Sequence, residues 1–256
     1  MEEKNYRVLR IEEQLYGCEE LPEGQPVLCD VLLEAADGTQ RVLPYPDAEL
    51  TRLDINEGST VTLRDHRLAK AAHKVYFTRH GETVWNVENK ICGMTDSPLT
   101  EKGRAQAREL GEKLRTSGLR IDEILYSPLS RAADTARAIA EATGIPARCE
   151  PRLREQCFGR YEGTPRDGEE FRVSKTHFTD RYSGGESMMQ LAQRIYNLLD
   201  ELRADTDKTY LLVAHNGIAR VVQSYFYDMT NEEYAAAGIK NLSLIHISEP
   251  TRPEPI

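Results

Sequence analysis

Residues 210–214 read Tyr-Leu-Leu-Val-Ala, five apolar positions in a row, before the chain turns polar at His215-Asn216-Gly217. A strand of that kind has no face to give to water, so it belongs inside a sheet covered on both sides. Val75-Tyr76-Phe77-Thr78 makes the same demand and stops as abruptly, at Arg79-His80-Gly81. Between these two runs strand and helix patterns alternate. Strands are expected over residues 75–78, 121–126, 145–150 and 210–214, and helices over 100–117, 130–143, 186–205 and 218–229. Gly144 supplies a C-terminal stop for the second helix. This alternation predicts an α/β fold, a three-layer sandwich with a largely parallel central sheet.

The first 66 residues follow a different rule. Alternating stretches at 6–12, 26–34, 40–43 and 60–63 suggest strands, and Asp37-Gly38 between the second and third is a hairpin signal. We therefore expect a small N-terminal all-β domain over residues 1–66, a linker over 67–73 and the α/β domain over 74–241. The β domain carries no catalytic constellation, so its role is open between passive module and partner-docking unit.

Composition narrows the function. A formal net charge of −9 argues against nucleic acid as a partner, because a nucleic-acid binder needs a basic face. No apolar run reaches the length of a membrane span, and MEEKNYRVLR lacks an apolar signal region, so a cytoplasmic protein with no membrane partner is expected. Five cysteines without a CxxC pair fit reduced thiols better than disulfides or a zinc site. The sequence carries no signature of oligomeric state.

Ligands of a parallel sheet bind at the carboxyl ends of its strands. Four polar signals fall there: Arg79-His80-Gly81, Ser127-Pro128-Leu129-Ser130-Arg131, Glu155 and His215. Two arginines, two histidines and a helix N-terminus make a cage for a compact dianion, above all phosphate. Ser130 is placed to cap the helix that Arg131 opens. No P-loop or DxD-type cluster is present, so the arginines are expected to carry the charge and no metal or other cofactor is called for. A neutral imidazole can act as nucleophile, and a carboxylic acid can protonate the leaving oxygen. Glu155 is the candidate acid, with Glu162 in the same loop as its competitor.

At these residues the chain resembles the histidine phosphatase superfamily, also called phosphoglycerate-mutase-like. The resemblance runs over residues 74–241 and rests on RHGETVWN at 79–86, GMTDSPLTEKGRAQA at 93–107, SPLSRAADTA at 127–136, EQCFGRYEG at 155–163, GGES at 184–187 and AHNG at 214–217. It implies that His80 becomes a phosphohistidine and Glu155 donates and accepts the proton. Arg79, Asn86, Arg131 and His215 would hold the phosphoryl oxygens of a small phosphorylated metabolite. Mutases of this superfamily carry a long insertion after the acid, whereas residues 155–184 here are short and polar, which favours hydrolysis. A bisphosphoglycerate-dependent mutase and a non-catalytic phosphate-binding protein are the alternatives. Arg172, Lys175, His177 and Arg181 are candidates for a second anionic group.

Residues 242–252, LSLIHISEPTR, resemble the translation of a sequencing adapter. The expectation is that residues 242–256 are a non-native, metagenomic read-through and that the sheet lacks an edge strand.

Overall fold

The computed structural model describes residues 4–14, 26–35, 37–53, 55–70, 75–205 and 208–247. Of the segments read above, residues 71–73 of the expected linker and residues 248–256 of the expected tail lie outside that set. The chain divides into two compact units, Met1–Ala72 and His73–Ile256.

The first unit is one antiparallel sheet in the order β3-β2-β1-β4-β5, built from β1 (Lys4–Glu13), β2 (Leu28–Ala35), β3 (Gln40–Pro46), β4 (Thr60–Arg64) and β5 (Arg67–Lys70), with a short helix α1 (Asp47–Arg52). Its core holds Val8, Val31, Leu33, Tyr45 and Val61. The hairpin expected at Asp37-Gly38 forms: Gly38 takes φ +81°, and the Asp37 carboxylate accepts from the Thr39 amide at 2.9 Å. The linker reading for residues 67–70 is overturned. Asp65 and His66 both adopt positive φ, 49° and 64°, and close a two-residue turn that pairs Arg64 with Arg67. Asp tolerates that left-handed backbone, but no Asn-Gly or Asp-Gly announces the turn.

The second unit contains β6 (Val75–Arg79), α2 (Val84–Val87), α3 (Glu101–Thr116), β7 (Glu123–Tyr126), α4 (Ser130–Thr143), β8 (Ala147–Cys149), α5 (Glu169–Ser174), α6 (Met188–Ala204), β9 (Tyr210–Ala214), α7 (Asn216–Phe226), α8 (Asn231–Ala236) and β10 (Leu244–Ile247). The sheet order is β10-β6-β9-β7-β8. The three pairings among β6, β9, β7 and β8 are parallel, and β10 is antiparallel to β6. The bare edge expected beside β6 is therefore filled: Leu244 pairs with Thr78 and Ile247 with Val75. A short β-branched segment of any origin can satisfy an open edge, so this pairing carries no information on ancestry.

The period-two pleat divides the apolar runs between two helical layers. Tyr76, Ile124, Leu211 and Val213 pack with Leu110 of α3 and Ile139 of α4. Phe77, Leu125, Leu212 and Ala214 pack with Leu191 and Ile195 of α6 and Ile218 of α7. This is the three-layer sandwich. Its register fixes the site: Arg79 lies beside Ala214 and Tyr126 beside Val213, so His80, His215 and Ser127 leave the sheet along one edge. Among the described residues no helix is long and apolar enough to cross a membrane.

Candidate active site

His80 follows the last residue of β6. Its amide donates to the Ala214 carbonyl at 3.0 Å, and its own carbonyl accepts from Asn241 Nδ2 at 3.0 Å. The ring is buried, 5% exposed, with Nδ1 2.7 Å from the Gly81 carbonyl oxygen. A carbonyl can only accept, so Nδ1 carries the proton and Nε2 keeps a lone pair. Gly81 is fixed in turn by its amide bond to Thr135 Oγ1 on α4 at 3.1 Å.

His215 caps the carboxyl end of β9 and is fully buried, its ring centroid 5.2 Å from that of His80. Its Nε2 lies 2.7 Å from Ser127 Oγ, and its Nδ1 has no protein partner. Burial, then Arg131 and Arg79, holds the His80 pKa well below the usual imidazole range. Burial and Arg131, with His80 beside it, do the same for His215. Both rings are neutral at pH 7. The unfolded chain therefore takes up protons below about pH 6.5 that the folded rings refuse, and stability falls as pH drops, by up to about 1.4 kcal/mol per pH unit for each histidine. Melting temperatures between pH 8 and 5 should decline less steeply for His215→Gln than for wild type, and equal slopes would refute this account.

Arg131 is 1% exposed in the first turn of α4. Its Nη2 donates to Gly93 O at 2.6 Å and its Nη1 to Thr95 O at 3.0 Å, with Asp96 Oδ1 at 3.5 Å, while Nε has no protein partner. The Ser130 cap is not formed, because Ser130 is already inside the helix behind an extended Leu129. The Asp96 carboxylate accepts from the Ser130 amide at 2.9 Å and so caps the helix from another loop.

Arg79 leaves β6 with Nη1 on the Ile239 carbonyl at 3.1 Å and Nε unpartnered and buried. Burial and the neighbouring Arg166 lower its pKa to about 10, which leaves it cationic. Asn86 closes a capping box with Thr83, its Oδ1 accepting from the Thr83 amide at 3.1 Å and from Asn241 at 3.3 Å. Asn86 is also among the residues that line the cavity.

The two carboxylates of the 155–163 loop separate cleanly. Glu155 is 6% exposed, and its two oxygens accept one amide each, from Gln156 and from Gly217 at 3.0 Å. A Cβ on Gly217 would stand 2.4 Å from Glu155 Oε1, so glycine in the first turn of α7 is what lets the carboxylate approach. Glu162 accepts four backbone amides, from Gly93, Met94, Thr95 and Phe158, at 2.9–3.1 Å. It organises the loop whose carbonyls hold Arg131. Glu162→Gln replaces an acceptor oxygen by a donor among these amides and is expected to destabilise the unit by about 2–3 kcal/mol. A chemical denaturation midpoint indistinguishable from wild type would contradict that.

A cavity of about 490 Å³ opens over Arg79, His80, Asn86 and Glu155. Arg131 and His215 stand behind its wall. Arg172 and Lys175 of the second-anion candidates reach it, whereas His177 pairs with Asp180 at 3.3 Å and Arg181 is off the wall. Arg166 and Arg220 also face the cavity, and the sequence reading missed both. Arg220 was findable, since it lies one helical turn beyond Asn216 on the helix opened by His215. Arg166 sits in a turn that no motif marks. Trp85 packs over Gly163 and is not a wall residue.

The model of the histidine phosphatase superfamily, branch 1, matches residues 75–252. "Probable phosphoglycerate mutase GpmB" of Enterobacter sp. (strain 638) is 44% identical over 154 residues, 57% of this chain and 70% of that protein. Its namesake from Yersinia pestis (strain Pestoides F) is 34% identical over 188 residues, 70% and 86% of the two chains. Among solved structures, mycobacterial glucosyl-3-phosphoglycerate phosphatase superposes with a TM-score of 0.60 at 29% identity, covering 68% of this chain and 89% of its own. A candidate alpha-ribazole-5'-P phosphatase of Escherichia coli K-12 gives 0.60 at 26%, covering 69% and 91%.

Proposed function

Because the chain belongs to the histidine phosphatase superfamily, we propose that it hydrolyses small phosphomonoesters through a phosphohistidine at His80, without a metal. The observation that carries this reading is the neutral His80 ring, tied down through Nδ1, on one cavity wall with Glu155. In the first step Nε2 attacks phosphorus, the ester P–O bond breaks, and Glu155 gives its proton to the leaving oxygen. In the second, water attacks phosphorus, Glu155 takes the water's proton, and the N–P bond breaks to return neutral His80 and phosphate. Arg79 and the Asn86 amide nitrogen meet the phosphoryl oxygens directly. Arg131 and His215, buried behind them, add charge and a free Nδ1 to the same end of the cavity.

Hydrolysis rather than transfer back to a second hydroxyl is supported by the short 155–184 segment and by structural neighbours that are phosphatases. The mutase reading is favoured by the names of the sequence relatives. Phosphate release from a substrate panel separates the two, assayed with chelator present and 2,3-bisphosphoglycerate added or omitted. Release that survives chelator and ignores the bisphosphate is the expected result. Isomerisation of phosphoglycerate dependent on the bisphosphate would install the mutase instead.

A further inference from the structure

Among the described residues of this unit, three buried side-chain polar atoms lack a hydrogen-bond partner: Arg79 Nε, Arg131 Nε and His215 Nδ1. All three belong to the surroundings of His80. Arg79 adjoins it in the chain, Thr135 Oγ1 ties the Gly81 amide to the Arg131 carbonyl at 3.1 and 2.8 Å, and the His215 ring lies 5.2 Å away. Buried polar groups are seldom left unsatisfied without a functional reason. A guanidinium Nε can only donate, so two of the three are ready for the oxygens of an anion. His215 Nδ1 differs, because a nitrogen of a neutral imidazole carries either a proton or a lone pair. A phosphoryl oxygen is held by the first and repelled by the second.

The choice is made at the other ring nitrogen. His215 Nε2 lies 2.7 Å from the Oγ of Ser127, a fully buried residue. Ser127 leaves β7 where Tyr126 stands beside Val213, and its amide donates to the Val213 carbonyl at 3.1 Å. Pro128 has no N–H to offer, so the local donor is the Leu129 amide, 3.4 Å from Oγ. Oγ thus accepts from Leu129 and has one proton of its own to give. Among the described residues its acceptor is His215 Nε2. The opposite assignment would aim two N–H groups at Oγ and strand the hydroxyl proton away from water, the costlier arrangement. A lone pair on Nε2 leaves the single proton of the neutral ring on Nδ1.

We propose that Ser127 is a positioning residue of the phosphoryl site: by donating to Nε2 it fixes His215 in the Nδ1–H form and makes that ring a neutral hydrogen-bond donor to the phosphoryl oxygens. The purpose of the donor rests on the phosphohistidine reading, whereas the tautomer belongs to the protein before any substrate arrives. His80 and His215 are then the same tautomer put to opposite uses. The Gly81 carbonyl takes the Nδ1 proton of His80 and leaves a lone pair to attack, and the Ser127 hydroxyl takes the Nε2 lone pair of His215 and leaves a proton to offer. A donor fixed before the reaction strengthens as charge gathers on the phosphoryl oxygens, in both steps.

The test reads the tautomer directly, in long-range proton–nitrogen NMR spectra of the full chain labelled with ¹⁵N-histidine at pH 7. The His215 signals are identified by their absence from His215→Gln. Wild type should show a protonated Nδ1 and an unprotonated Nε2. Ser127→Ala, which removes only the hydroxyl, should move the proton wholly or partly to Nε2 and lower kcat for p-nitrophenyl phosphate by about 10- to 100-fold. Ser127→Thr, which keeps the hydroxyl, should restore the protonated Nδ1 and most of the lost rate. A wild-type His215 protonated at Nε2, or at both nitrogens, overturns the proposal. So does a Ser127→Ala protein that keeps either the wild-type tautomer or the wild-type turnover. If wild type does not hydrolyse p-nitrophenyl phosphate, the phosphatase reading is what has failed, and calorimetric binding of inorganic phosphate takes the place of turnover. Binding about tenfold weaker in Ser127→Ala, together with the moved proton, upholds the role of Ser127, and equal affinities sink it.

Discussion

Alanine at position 80 is expected to lower turnover of every substrate by about 10⁴-fold or more, over 5 kcal/mol of barrier, because it removes the atom that forms the covalent bond. The fold should survive. The backbone bonds of His80 to Ala214 and Asn241 need no side chain, and deleting a buried imidazole leaves only the Gly81 carbonyl without its local donor. The decisive readout is chemical. Wild type quenched during turnover of ³²P-labelled substrate should carry label that is lost in acid, the behaviour of a phosphorus–nitrogen bond. His80→Ala should carry none. Label that is stable in acid, or turnover within tenfold of wild type in the variant, would end the phosphohistidine mechanism.

Glu155→Gln should produce a defect whose form depends on the leaving group. A glutamine cannot protonate an alkoxide, so alkyl phosphates are expected to slow by about 10² to 10⁴-fold. p-Nitrophenolate leaves without help, so phosphorylation of His80 by p-nitrophenyl phosphate should remain fast. The second step still needs a base for water. Stopped-flow traces should therefore show a burst of p-nitrophenolate equal to the enzyme concentration, followed by slow release. Glu162→Gln, whose carboxylate serves four backbone amides, should show lowered stability and no burst. A burst in neither variant, or in the second alone, would reassign the acid.

The central architecture was legible because apolar runs such as residues 210–214 permit only a doubly covered strand, and the polar residues ending them fall on one sheet edge. His80, His215 and Arg131 could be placed from that logic together with the motif resemblance. The choice of Glu155 over Glu162 could not be made securely from sequence, since both are acidic and in one loop. What separates them is which backbone amides converge on each, a tertiary fact. Helix capping by Asp96 was hidden for the same reason, as its partner Ser130 is 34 residues away. The β4–β5 turn escaped because Asp65-His66 adopts a backbone more often marked by glycine. Arg166 escaped because only the fold carries it to the cavity wall.

Arg172 stands on α5 and Lys175 at its C-terminal cap, and Phe171 of that helix belongs to a small cluster with Ile91, Tyr161 and Tyr182, separate from the two large cores that hold the sheet. His80 and His215 directly follow β6 and β9, and Arg131 lies in the first turn of α4, elements that those large cores hold. The His80 end of the cavity and its α5 wall thus rest on foundations of different depth. Substitutions on α5 can drift, lengthen or change sign at little cost to the strands that aim the nucleophile. A lineage built this way can reshape one wall of its cavity while the residues around His80 are inherited intact.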